Sequence, residues 1–106
     1  NFPTNRYVAE SLARDLGLEL VWLEPPIDGG VTPEAVAAVI DERTAVVTLS
    51  HIAYQSAFLA DAPAITEVAH RAGALVVWDL CHSVGSTEIE TTTNGPMLGT
   101  GFSLYF

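Results

Sequence analysis

The 106-residue chain contains no lysine. Four arginines and three histidines face thirteen carboxylates, and the net charge is −9. Without lysine, no side-chain amine can lose its proton and attack a carbonyl, because a guanidinium keeps its proton. The acidic balance excludes phosphate backbones and anionic membrane surfaces, which need clustered cations. Neither nucleic acid nor membrane is therefore expected as a partner. Cysteine occurs once, as Cys81, so neither an internal disulfide nor a Cys-rich metal site can form. No apolar run reaches the ~18 residues of a membrane-spanning helix. The opening "NFPTNRYVAES" lacks the basic and apolar regions of a signal peptide. These absences make a cytoplasmic protein the expectation.

What is present is a core. Hydrophobic residues make up 49% of the chain and mean hydropathy is positive, which excludes a disordered polymer and suits one domain. Thr4 can cap a helix through "NRYVAESLARDLG", with Val8, Leu12 and Leu16 at helical spacing and Gly17 as the stop. "LELVWL" (18–23) reads as a strand and "EPPIDGG" as a loop. Thr32 and Pro33 open a second helix with Val36, Val39 and Ile40 as its stripe. "TAVVTLS" (44–50) has the β-branched apolar run of a strand covered on both faces. After the aperiodic "HIAYQSAFLAD", Asp61 caps a third helix over 62–72, with Ile65, Val68 and Ala69 inward and Gly73 at its end. "ALVVW" (74–78) is the next strand, and "GFSLYF" could be a terminal one. The alternation predicts an α/β fold: a parallel sheet with helices on both faces.

In such sheets, ligands gather at the carboxyl ends of strands. Ser50 and Asp79 sit there, and His82 follows in the next loop. Alone, Asp79 reads as a carboxylate capping the next turn. Its alternative is a charge held beside a cationic ligand, since a carboxylate at the edge of a dry core needs a partner or neutralises. His82 alone reads as a structural histidine, and Cys81 as a small packing residue with no activating cation beside it. His70, in the last turn of the third helix, complements the helix dipole. Trp22 and Trp78 are expected in strands and in the core. Asp41, Glu42, Glu88 and Glu90 read as solvated surface.

Three ordered segments carry a resemblance. "VVWDLCHSVG" resembles the "WDLAHSAG" type of segment in kynureninase, a pyridoxal-phosphate (PLP) enzyme with the fold type I architecture of aspartate aminotransferase. "NFPTNRY" resembles that family's "NFPTD-Y", and "VTLSHIAYQSAFLAD" its "VTLTHVNYRTGEMLD". The resemblance covers residues 1–90 and implies part of the large PLP-binding domain, with 91–106 as a divergent or truncated tail. It implies that Phe2 stacks on the cofactor ring and that Pro3, Thr4 and Asn5 belong to the same contacting loop. Ser50 and His82 would lie in the pocket, and Asp79 would pair with the pyridine nitrogen, keeping it protonated. Tyr54 lies in a matching loop. The implied reaction is hydrolysis of L-kynurenine or 3-hydroxykynurenine to anthranilate or 3-hydroxyanthranilate and L-alanine, in a homodimer.

The chain departs from that pattern in places. Asn5 stands for an aspartate, Gln55 for a cation and Ala57 for a glycine. The family's "GCTYKYLNGGPG", which carries the Schiff-base lysine and a phosphate-binding tyrosine, leaves only the echo "NGP". The chain thus reads as a piece of a longer enzyme, inactive alone, with no catalytic residue of its own. Three rivals remain. One is another PLP enzyme of the superfamily, such as a cysteine desulfurase. Another is a metal-dependent hydrolase using Asp79, His82 and His51, although the expectation is no metal. The last is a receiver-like signalling module, which would use an early acidic pair and a later lysine that this chain lacks.

Overall fold

The computed structural model describes residues 3–89 and the backbone of 102–105. Phe2, Glu90 and the "TTTNGP" segment lie outside the described residues. The elements are α1 (Pro3–Leu16), α2 (Pro33–Val39), β1 (Val46–Ser50), α3 (Ala62–Arg71), β2 (Leu75–Asp79) and β3 (Phe102–Tyr105).

Local chemistry sets most of these boundaries. Pro3 is itself helical, because its fixed φ suits a first turn. Thr4 therefore lies inside α1 and not at its cap. The helix ends where Gly17 turns left-handed (φ +67°). There Leu18 N–H donates to the Ala13 carbonyl at 2.8 Å, a capping pattern that satisfies a carbonyl the helix leaves open. Thr32 Oγ1 accepts from Ala35 N–H at 3.2 Å and starts α2. The Asp61 carboxylate does the same for α3, accepting from Ala64 N–H at 3.1 Å.

Among the described residues the sheet is three-stranded in the order β1-β2-β3, and both pairings are parallel. β2 is central. Val47 pairs with Val76, Leu49 with Trp78 and Ser50 with Asp79. Side chains alternate along a strand, so Val47, Leu49, Val76 and Trp78 share one face. α3 packs on that face, and α2 packs on α3. The core gathers there: Val36, Ile65, Val76, Trp78 and Leu80 are all buried. Trp78 is fully buried, and its indole Nε1–H donates to Thr66 Oγ1 at 3.1 Å. A buried indole needs such a partner.

The opposite face is barely covered. Val46 and Leu75 are each about half exposed, so β1 is not enclosed on both sides as its apolar run suggests. The α1 stripe is also open: Val8, Leu12 and Leu16 are 54%, 54% and 67% exposed, and only Ala13 of that helix is buried. Val39 on α2 is exposed as well. The expected strand at 18–23 is irregular. A parallel strand exists only through its ladder, and among the described residues none pairs with this segment. Leu23 alone of it packs against the core. Trp22 is therefore neither in a strand nor buried. It is 39% exposed, with the Arg6 guanidinium 4.6 Å from its ring centroid. Asp41, Glu42 and Glu88 are exposed, as their sequence context suggests.

The 51–60 connection folds back on itself. Ile52 bridges Leu59, Ala53 N–H donates to the Phe58 carbonyl at 3.0 Å, and Ser56 Oγ donates to the Gly29 carbonyl at 2.6 Å. Ala57 closes the turn at φ +58°. A left-handed conformation costs an L-residue roughly 1–2 kcal/mol, and glycine returns about 0.5–1 kcal/mol of that through its freer unfolded state. Ala57→Gly is thus expected to stabilise the chain by about 0.5–1 kcal/mol. A higher urea midpoint at unchanged slope checks this; a lower midpoint refutes it.

Candidate functional site

Asp79 ends the central strand and is only 3% exposed. A charge so placed must be answered by hydrogen bonds. Three segments supply them. From α1, Asn5 Nδ2–H donates to Asp79 Oδ2 at 2.9 Å. From β1, the Ser50 hydroxyl donates to the same oxygen at 3.2 Å. From the following turn, Cys81 N–H donates to Oδ1 at 3.0 Å. Ser50 reaches Asp79 because the two are register partners and so share a sheet face. That is the sparsely covered face, and the first turn of α1 meets it at this corner.

Burial pushes the Asp79 carboxyl up. The Cys81 N–H and thiol, the Asn5 amide and the Ser50 hydroxyl together outweigh burial and hold it below the ordinary carboxylate value. Asp79 is consequently an anion at neutral pH. Its Oδ1 caps the turn two residues on, as the local reading expects, whereas Oδ2 gathers neutral donors from 29 and 74 residues away. Cys81 is exposed, not a packing residue. Its hydrogen bond to Asp79, with some burial and the neighbouring negative charge, pushes its thiol up. That is the reverse of what a thiolate nucleophile requires.

Hydrogen bonds thus join Asn5, Ser50 and Asp79. Pro3 and Thr4 are exposed in the first turn of α1, beside Asn5. His82 is exposed on the turn beyond β2, where its carbonyl accepts from Ser86 Oγ at 2.8 Å. Tyr54 is exposed at the tip of the 51–60 connection. The sequence places Asn5 in the cofactor-contacting loop without a partner and reads Cys81 as packing; in the fold the Asn5 amide and the Cys81 backbone N–H both donate to Asp79. The signal for Asn5 was its amide at a position where the resembled family has an acid.

His51 follows Ser50 and is 5% exposed, edge-on to Trp78 with ring centroids 5.8 Å apart. Its backbone N–H donates to the Asp79 carbonyl at 3.0 Å. Burial lowers its pKa and keeps it neutral. Among the described residues, no three His, Cys, Asp or Glu side chains gather in a way that could hold a metal ion, which disfavours the hydrolase built on Asp79, His82 and His51. No described helix is long and apolar enough to cross a membrane. A depression of about 270 Å³ lies between Leu23–Pro26 and the start of α2 and includes none of the Asp79 cluster.

Residues 1–96 match the family described as aminotransferase class-V. Kynureninase of Pseudomonas fluorescens is 39% identical over 92 residues, covering 85% of this chain and 20% of that protein. Kynureninases of Burkholderia mallei and Burkholderia pseudomallei are 36% identical over the same extent. The chain therefore spans about a fifth of the length of the relatives it matches.

Proposed function

Because the chain belongs to the aminotransferase class-V family, we propose that it is part of the PLP-binding domain of a kynureninase-like enzyme. The whole enzyme would hydrolyse the Cβ–Cγ bond of L-kynurenine or 3-hydroxykynurenine, releasing anthranilate or 3-hydroxyanthranilate and L-alanine. It would act as a cytoplasmic homodimer. Similarity to kynureninases favours this substrate class over a cysteine-desulfurase reading.

One observation carries the cofactor assignment: a buried, ionised carboxylate fixed by three segments at the end of the central parallel strand. An ionised carboxylate is purely an acceptor, so its chemistry fits a protonated pyridine nitrogen. A cationic N–H is a stronger donor than a thiol or hydroxyl and would displace the weaker of Asp79's present partners. Asp79 would hold the ring nitrogen, with Asn5 and Ser50 orienting the carboxylate. Phe2, Pro3, Thr4 and His82 would complete this side of the pocket. When bound, PLP supplies the electron sink for carbanionic chemistry at the substrate. The residues of this chain would offer the ring nitrogen a negative charge held at the end of the central strand, where Asp79 is buried.

With no lysine in its sequence, the 106-residue chain has no side chain to attach the cofactor covalently. It is expected to bind PLP reversibly and to release no anthranilate. Titrating PLP into the purified chain, followed by tryptophan fluorescence, should give saturable quenching, while kynurenine yields no anthranilate fluorescence. A linear, unsaturable response overturns the cofactor assignment. Anthranilate release overturns the inactivity.

A further inference from the structure

Asn5 reaches Asp79 with its donor end: Nδ2–H lies 2.9 Å from Oδ2. The reverse amide orientation would set two acceptors against each other, so the ionised partner fixes which end faces it. An aspartate in this position would bring two acceptor-only groups within hydrogen-bond distance. They could not both ionise freely, and would share a proton. The amide avoids that conflict and leaves Asp79 as the single charge of the corner.

We propose that Asn5 is a positioning residue, whose amide sets the direction of the Asp79 carboxylate and keeps the site at one negative charge for a cationic ring nitrogen. The proposal rests on the reading of Asp79 as the partner of the PLP pyridine nitrogen. Among the described residues, the other groups around Asp79 are few. Ser50 donates from β1, and Cys81 donates from the following turn through its backbone N–H. His82 is exposed on that same turn, and neutral His51 sits against Trp78 just beyond Ser50. Tyr105 is the register partner on β3.

The test is a carboxyl and side-chain amide NMR titration of the full chain without cofactor. In the unmodified chain, the Asn5 amide protons are expected to shift with the same midpoint as the Asp79 carboxyl. Asn5→Ala is expected to raise that midpoint in a single step. Asn5→Asp is expected to give two coupled steps, the upper at least ~1 pH unit above the original midpoint. A merely structural Asn5 would change stability and leave the Asp79 midpoint where it was. An Asn5 amide that stays silent while Asp79 titrates overturns the proposal without needing any variant to fold. So does an unchanged midpoint in Asn5→Ala. Adding PLP separates the two readings. Coupled titration in a chain that does not bind PLP overturns the cofactor assignment alone, and PLP binding with an unmoved Asp79 midpoint overturns the role of Asn5 alone.

Discussion

Asp79→Ala is expected to weaken PLP binding about 10–100-fold and to destabilise the chain by about 2 kcal/mol at neutral pH. The first figure follows from losing one charge-assisted hydrogen bond, worth about 1.5–3 kcal/mol. The second follows from leaving the Asn5 amide, the Ser50 hydroxyl and Cys81 N–H without their acceptor, at about 1–3 kcal/mol for a buried donor left unmet. The stability effect must also depend on pH. The fold holds the Asp79 pKa below its ordinary value of 3.8, so folding favours the ionised form. That contribution is complete above the ordinary value and is lost as pH falls through the lower folded value. The stability gap between the unmodified chain and Asp79→Ala should therefore shrink from pH 7 to pH 3. Urea unfolding at both values measures it. An equal gap at both would mean that the carboxylate charge contributes nothing and that the loss is one of packing.

Trp78→Ala has the larger structural effect. It is expected to cost about 3–5 kcal/mol, the usual range for deleting a fully buried aromatic side chain. Trp78 is completely buried on the face that packs against α3, edge-on to His51 and bonded to Thr66. Its loss opens a cavity and leaves Thr66 Oγ1 without its donor. Small domains hold only about 5–15 kcal/mol in all, so this single change removes much of that margin. Far-UV circular dichroism and urea unfolding are the readouts. A midpoint within error of the unmodified chain would place the stabilising core elsewhere than the β2–α3 contact.

How much of this was legible depends on the range of the cause. Thr32 and Asp61 as caps, the stops at Gly17 and Gly73, and the strands at 46–50 and 75–79 are local consequences of backbone geometry. So was the position of Asp79 at a strand end. Trp22 and the 18–23 segment went the other way. Their alternation satisfies every local criterion for a strand, yet a strand also needs a neighbour, and none among the described residues pairs with them. The apolar stripe of α1 is equally clear in sequence and equally uncovered in the fold. Periodicity says which residues could be buried and not what buries them.

The same division runs through the site. By itself, the sequence determined the absence of lysine, the acidic balance, the parallel α/β pattern, and three segments that match the class-V family in order. Only the tertiary structure decided that Asn5, Ser50 and Cys81 converge on one carboxylate, that Cys81 is a donor and not packing, and that Asp79 stays ionised despite burial. The reason is physical. The Ser50 and Asn5 contacts join residues 29 and 74 positions apart, and hydrogen bonds across such separations depend on strand register and on where a helix begins, which no local pattern encodes.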